Sequence, residues 1–349
     1  MTTLTDFGWT TDNQQAWNEL NLSPAAPARI IADFGTSLKV AAPEIITAEL
    51  SGKLAHYTSR DETPKVGDWV ALHLSDHGNA TIESVALRRN EIARKVTGKR
   101  TMRQVIATNV DIAFVLLALD KDFSVERLKR FLYQLSTSSV EAVIVLNKAD
   151  KTDDVQAYLD QLVLLELPII TAIATENVGV DEIAARILPG KTAILLGSSG
   201  VGKSTLTNAL LGREAQSTQE VRASDDTGKH TTVHRELFIL PNGGILIDTP
   251  GIRELQLWGT EEELDTNYDD IAELTRRCAY SNCRHTTEAG CAINTALADG
   301  TLDEKHYSSY LLMKQELIRL AEKNSEKARL DQLHATRRSK ARARDYRDD

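Results

Sequence analysis

The chain has 349 residues, 42% of them hydrophobic, and a formal net charge of −9. That length predicts two or three domains, and that hydrophobic share excludes disorder throughout. No apolar run reaches membrane-spanning length, the start lacks a signal-peptide pattern, and the negative balance argues against generic nucleic-acid binding, so a cytoplasmic globular protein is expected.

Residues 1–27 are polar, end at Pro24 and Pro27, and read as a leader. Residues 28–95 carry five short strand signals: Arg29 to Ala32, Ser37 to Ala41, Ala48 to Leu50, Asp68 to Leu72 and Asn79 to Val85. Strands at this spacing, with the turn-to-strand segment Val66-Gly67-Asp68-Trp69-Val70, predict a small OB-like β-barrel. The stretch from Arg88 to Arg103 is strongly basic and has no aromatic residue. A solvated linker and a phosphate-contacting patch beside the barrel are equally good readings of it.

Residues 96–262 change to an alternation of strands and helices, which predicts a parallel, doubly wound α/β domain. A buried strand (Ile112 to Leu119) leads to a helix begun by Ser124. A strand (Ala142 to Leu146), a helix near Val155 to Leu165, a strand (Ile169 to Ile173), a helix from Asp181 and a strand (Ala193 to Leu196) follow. Residues 263–349 are expected to be a helical domain with a final helix from Tyr307 to about Lys327 and a basic tail, Arg337 to Arg344, disordered when free.

Chemistry enters at the strand ends, where doubly wound sheets bind ligands. Asn147-Lys148-Ala149-Asp150 is a guanine-recognition signature: the Asp150 carboxylate can accept from guanine N1–H and its exocyclic amine, a pair that adenine lacks. Asn147 would brace the loop and the Lys148 stem would lie against the base. The Ala174 N–H would meet guanine O6, but Ile173 stands where a serine is usual, which predicts weaker binding with specificity kept.

Gly197-Ser198-Ser199-Gly200-Val201-Gly202-Lys203-Ser204-Thr205 is a phosphate loop between a strand and a helix. Its backbone N–H groups would cradle the β-phosphate, Lys203 would neutralise phosphate oxygens, and Ser204 would ligate Mg²⁺. Asp248-Thr249-Pro250-Gly251 follows, with Asp248 reaching Mg²⁺ through water and the Gly251 N–H sensing the γ-phosphate. Ile252 occupies the place of the water-orienting glutamine, so intrinsic hydrolysis should be slow. His230-Thr231-Thr232 ends a long polar stretch and reads as the first switch, with Thr231 or Thr232 closing on Mg²⁺ and His230 a candidate water-orienting group. The guanine motif precedes the phosphate loop, the reverse of the Ras-like order, so the domain is a circularly permuted GTPase.

The three cysteines, Cys278, Cys283 and Cys291, cluster with His285 as Cys-x4-Cys-x-His-x5-Cys. An odd number of thiols in a cytosolic chain disfavours disulfides, and three thiolates plus one imidazole complete a tetrahedral set. One structural zinc per chain is expected.

With permuted motifs, a preceding barrel and this Cys/His element, the chain resembles the ribosome small subunit-dependent GTPase A family from about Ala28 to beyond Tyr310. The resemblance implies a factor in late maturation of the small ribosomal subunit that binds rRNA and hydrolyses GTP to GDP and phosphate there. It implies GTP or GDP and the subunit as partners, no membrane, and a monomer. The alternative is a GTP-switched adaptor whose barrel and zinc module bind protein. In either case permutation hangs the zinc module from the second switch, so a γ-phosphate held by Thr232 and Gly251 would order both switches.

Overall fold

The structure, a computed structural model, describes the chain apart from residues 1–2, 23–24, 36, 43, 58–62, 76–78, 87, 96–102, 215–234, 250–256 and 346–349, and apart from the side chains of 327–328 and 330–345. It divides into two units, Met1–Arg94 with Gln104–Leu255, and Lys95–Arg103 with Gln256–Asp349.

The first unit begins with a 3₁₀ turn (Leu4–Phe7) and helix α1 (Thr11–Glu19), whose N-cap Thr10 accepts from the Asn13 N–H. Phe7 is buried in the barrel core, and Trp9 meets Trp17 and Trp69 edge-on at 5.9 and 4.6 Å between ring centroids. The described part of the stretch expected as a leader is thus packed on the barrel, because a few large rings among polar residues supply enough apolar surface to bury.

The barrel has five strands: β1 (Ala26–Asp33), β2 (Leu38–Ala41), β3 (Ile45–Leu50), β4 (Trp69–Leu74) and β5 (Ala80–Val85), with helix α2 (Gly52–Tyr57) between β3 and β4. Their order is β1-β2-β3-β5-β4, and β4 closes on β1. All neighbours are antiparallel except β3 and β5. This is the expected OB-like arrangement. The turn into β4 requires glycine: at Gly67 φ is +97°, and a Cβ would lie 2.2 Å from the Thr108 carbonyl oxygen.

Over its described part the basic stretch is not a free linker, and Arg88 within it is tied down. Arg88 forms two 2.8 Å hydrogen bonds to the buried Asp68 carboxylate and one of 3.0 Å to Glu91. The chain then forms a two-stranded ribbon of β6 (Glu91–Lys95) and β7 (Arg103–Thr108). A buried carboxylate requires a cation, and Asp68 recruits the nearest guanidinium.

The α/β core comprises β8 (Ile112–Ala118), α3 (Val125–Ser136), β9 (Glu141–Asn147), α4 (Gln156–Leu159), β10 (Ile169–Thr171), α5 (Val180–Arg186), β11 (Thr192–Gly197), α6 (Lys203–Leu211), β12 (Arg235–Ile239) and β13 (Ile245–Asp248). The sheet order is β10-β9-β8-β11-β13-β12, parallel up to β13 with β12 antiparallel at the edge. Every residue of β8 is buried: Ala113, Val115 and Leu117 face one core, and Ile112, Phe114 and Leu116 the other. A strand covered on both faces must be apolar at every position, which is why it reads as an unbroken run. Helix α3 starts where Ser124 accepts the Arg127 N–H, a cap that contributes about 1 kcal/mol, and buries Leu128, Phe131 and Leu135 on one face.

The helix expected over Val155 to Leu165 is broken. After α4 a separate 3₁₀ turn covers Val163–Leu165. Four successive apolar residues cannot share one helical face, and the turn buries Leu162 while Leu164 stays 89% exposed.

Strand β12 also pairs with barrel strand β1, placing Ala32 opposite Glu236 and Asp33 opposite Arg235, so barrel and α/β sheet share one hydrogen-bonded ladder. Arg29, fully buried, adds side-chain ties. It donates to the carbonyl oxygens of Phe7, Gly67 and Asn109 and to Thr192 Oγ1, and lies 5.3 Å from the Trp69 ring centre.

The second unit contains α7 (Glu261–Asn267), α8 (Asp269–Arg276), α9 (Ala292–Ala298) and α10 (Glu304–Asp345). Leu264, Ile271, Ile293, Tyr310, Met313 and Leu317 are buried. Helix α10 runs through Arg337 to Arg344, the stretch expected to be disordered; Arg, Lys and Ala, which make up all of it but Ser339, are strong helix formers, and they continue the helix.

Candidate nucleotide site and metal centre

The guanine motif and the phosphate loop meet because β8 separates their strands by a single position in the sheet. Asn147 Nδ2 donates to the Val201 carbonyl oxygen at 2.8 Å, and its Oδ1 accepts from the Ala174 N–H at 3.2 Å. One buried amide therefore links all three predicted nucleotide segments. At Gly202 φ is +102°, and a Cβ would stand 2.2 Å from Asn147 Nδ2, so this bridge needs a glycine there. Lys148 has φ +61°, and its ammonium lies 3.1 Å from Asp120. Asp150 pairs with Lys151 at 2.8 Å, and that bond holds its carboxyl below the ordinary range. The Asp150 carboxylate is thus ionised and acceptor-only.

Lys203 is buried at the start of α6 and donates to the carbonyl oxygens of Gly197 and Ser198 at 2.9 and 2.7 Å. Burial pushes its pKa down to about 8, opposed by the charge of Asp248. Burial likewise pushes Asp248 up to about 6, opposed by Lys203. Asp248 Oδ1 is buried without a hydrogen-bond partner among the described residues. An ionisable oxygen in that condition needs a cation or a bound water, and Asp248 therefore fits a divalent ion. Thr249 Oγ1 donates to the Leu195 carbonyl oxygen at 2.9 Å, tying the end of β13 to the strand that feeds the phosphate loop. Ser199, Gly200, Ser204 and Thr205 lie on the loop and first turn of α6 as expected. His230, Thr231, Thr232 and Gly251 lie outside the described residues, as do Pro250 and Ile252.

In the second unit Cys278, Cys283, His285 and Cys291 converge, with their ligand atoms all within 4.8 Å of one another. His285 Nδ1 is 3.5 Å from both Cys278 Sγ and Cys291 Sγ. A tetrahedral zinc site with ordinary arm lengths has an S···N edge of about 3.6 Å, so the set fits that ion. The His285 N–H favours a Cys283 thiolate, but burial and the sulfurs of Cys291 and Cys278 push that thiol up to about 11. All three sulfurs can be thiolates at this distance only beside a cation.

Several residues outside the sequence motifs touch these sites. Glu288 accepts from the N–H groups of Arg284, Thr286 and Thr287 at 2.9, 2.8 and 3.1 Å and so shapes the loop that presents His285. Asp122 accepts from Ser198 Oγ at 3.1 Å, and Asp120 from Lys148. Asp120 and Asp122 sit just beyond the carboxyl end of a parallel strand, the signal that could have found them.

A phosphate loop that follows the guanine motif in the chain, yet is braced by it in space, defines a circularly permuted P-loop GTPase. Residues 85–258 match the family described as RsgA GTPase. A protein of Opitutus terrae named Small ribosomal subunit biogenesis GTPase RsgA is 38% identical over 328 residues, 90% of this chain and 89% of its own length. One from Oceanobacillus iheyensis, named Small ribosomal subunit biogenesis GTPase RsgA 1, is 39% identical over 285 residues, 80% of this chain and 81% of its own. The crystal structure of YjeQ from Thermotoga maritima superposes with a TM-score of 0.59 at 25% identity, covering 84% of this chain and 98% of that one. YloQ, described as a circularly permuted GTPase, shares the fold with a TM-score of 0.56 at 23% identity, over 85% of this chain and 96% of its own. The chain belongs to the RsgA GTPase family and is a GTP hydrolase.

Proposed function

We propose that this protein binds GTP with Mg²⁺, hydrolyses it to GDP and phosphate, and uses the cycle in maturation of the small ribosomal subunit in the cytoplasm. The observation that carries the reading is identity of 38% across 90% of the chain to a protein named for small-subunit biogenesis. The braced site between Asn147, Val201 and Ala174 supports it.

Asp150 would read guanine, with Asn147 bracing, Lys148 against the base and the Ala174 N–H at O6. The N–H groups from Ser198 to Ser204 would hold the β-phosphate at the N-terminus of α6, where the helix dipole favours anions. Lys203, released from the Gly197 and Ser198 carbonyl oxygens, would move its charge onto phosphate oxygens. Ser204 and Asp248, with Thr232, would hold Mg²⁺, which supplies charge neutralisation at the β- and γ-oxygens. Gly251 would sense the γ-phosphate, Thr231 is the other threonine that could close on Mg²⁺, and His230 would orient water in place of the missing glutamine. Cys278, Cys283, His285 and Cys291 would hold one structural zinc with no open coordination position.

The functional divisions that follow are the barrel (28–95), the GTPase domain (96–262) and the zinc-binding domain (263–349). Turnover measured with and without purified small subunits tests the proposal. Strong activation by subunits, and not by unrelated proteins or bare RNA, is the expected result. Equal turnover in every case would leave the adaptor reading in place.

A further inference from the structure

We propose that Asp120 and Asp122, on the loop between β8 and α3, are positioning residues for the nucleotide: Asp120 holds Lys148 of the guanine motif, and Asp122 holds Ser198 of the phosphate loop. The inference rests on assigning Asn147 to Asp150 and Gly197 to Thr205 to nucleotide binding.

Strand β8 lies between the two strands that carry those motifs, with Leu116 opposite Gly197 and Ala118 opposite Asn147. The loop that leaves it emerges between them. Asp120 spans one gap: its Oδ2 lies 3.1 Å from Lys148 Nζ, and its Oδ1 accepts the Asp122 N–H at 2.9 Å. Burial opposes its charge, yet the Asp122 N–H and the Lys148 ammonium hold its carboxyl below the usual range. Asp122 spans the other: its Oδ2 accepts Ser198 Oγ at 3.1 Å and Arg127 Nη1 at 3.0 Å. Arg127 also donates to the Asp122 carbonyl oxygen at 3.1 Å, and its own N–H is capped by Ser124 at 3.2 Å. The first turn of α3 therefore anchors the loop, and the loop grips both halves of the site.

Each grip fixes a group that is otherwise free to turn. The Lys148 stem has four rotatable carbons and would lose side-chain entropy when it settles against a base. A partner at its ammonium removes part of that loss before the nucleotide arrives, which is preorganisation. Ser198 follows Gly197, where the loop starts, and a fixed hydroxyl there limits the turn that aims the following N–H groups.

The sign of the effect separates positioning from simple charge. Both carboxylates are negative and stand beside a site for a polyanion. By Coulomb's law alone, removing either would tighten nucleotide binding. If their role is to place Lys148 and Ser198, removing either weakens it.

The test uses the full chain at one fixed ionic strength. GDP and a non-hydrolysable GTP analogue are titrated with Mg²⁺ into wild type, Asp120→Asn, Asp122→Asn, Lys148→Ala, Ser198→Ala and the doubles Asp120→Asn/Lys148→Ala and Asp122→Asn/Ser198→Ala. Each aspartate variant should weaken both nucleotides by about three- to tenfold, the range for charge-assisted pairs that are partly exposed. GDP and the analogue should change alike, and in steady-state hydrolysis the KM should rise with kcat changed by less than about twofold, because uniform binding is what is lost. In each double the aspartate substitution should add no further weakening. Unchanged or tighter binding by Asp120→Asn and Asp122→Asn, or full additivity in the doubles, would overturn the proposal. A wild-type chain that fails to prefer GTP to ATP would overturn the site assignment itself.

Discussion

Asn147 Nδ2 donates to the Val201 carbonyl oxygen at 2.8 Å, so the residue that opens the guanine motif holds the phosphate loop directly. The two are adjacent because their strands flank β8, and the permutation of the chain leaves that adjacency untouched. Asn147→Ala would leave the Val201 carbonyl and the Ala174 N–H without this partner. Loss of a buried hydrogen bond with its partners left behind costs about 1–3 kcal/mol. Thermal unfolding of the nucleotide-free variant should shift down accordingly, and GDP and GTP affinity should fall together by more than about tenfold. An unshifted melting curve would refute the bracing role.

Asp248 gives a pH prediction. Burial holds its carboxyl at about 6 against an ordinary 3.8. Between those values the folded protein keeps a proton that the unfolded chain has released, so stability falls as pH rises through this window. Above it the buried charge costs at most about 3 kcal/mol. Asp248→Asn should therefore raise the melting temperature of nucleotide-free protein near neutral pH while abolishing Mg²⁺-dependent hydrolysis. A melting temperature that drops, or a wild type whose stability is flat across that window, would count against it.

Zinc should be present at one per chain in protein prepared without chelator, by metal analysis. Its removal, or Cys283→Ala, should unfold the second unit, since ligand binding and folding are coupled in small metal domains. Limited proteolysis would read this as new cleavage within 261–326. Full zinc content in a folded Cys283→Ala chain would contradict the assignment.

Arg29 places a permanent charge among four uncharged acceptors, and among the described residues it has no carboxylate in direct contact. Its pKa is lowered to about 10 by burial. Arg29→Met keeps the stem but strands the Phe7 carbonyl and the Thr192 hydroxyl. Chemical denaturation should show a loss of about 2–4 kcal/mol, with the described N-terminal segment becoming accessible to protease. Unchanged stability would show that strand pairing between β1 and β12 carries the junction alone.

Subunit binding should depend on the nucleotide. A ligand shifts a conformational equilibrium only through its differential affinity, so small subunits should bind more tightly with a non-hydrolysable GTP analogue than with GDP. By reciprocity the subunit should favour the triphosphate form by the same factor. Equal affinities at one salt concentration would remove the nucleotide switch from the proposal.

The local chemistry of this protein was written in its sequence. The order of Asp150, Lys203 and Asp248 along the chain identifies the permutation, the five barrel strands follow from their spacing, and Cys278, Cys283, His285 and Cys291 form a ligand set because one short loop brings them together. Ser124 marks the start of α3 for the same reason: a cap acts within one turn. Other features required the tertiary structure. Arg29 and Thr192 are 163 positions apart, and nothing in either residue names the other. Asp120 and Asp122 look like ordinary loop carboxylates until β8 is placed between β9 and β11. Arg88 reads as part of a basic run until Asp68 is buried beside it. A residue type and its near neighbours set hydrogen-bonding capacity and backbone preference, whereas the partner of a charged or polar side chain depends on which strands the fold makes adjacent, and burial then makes that partner obligatory.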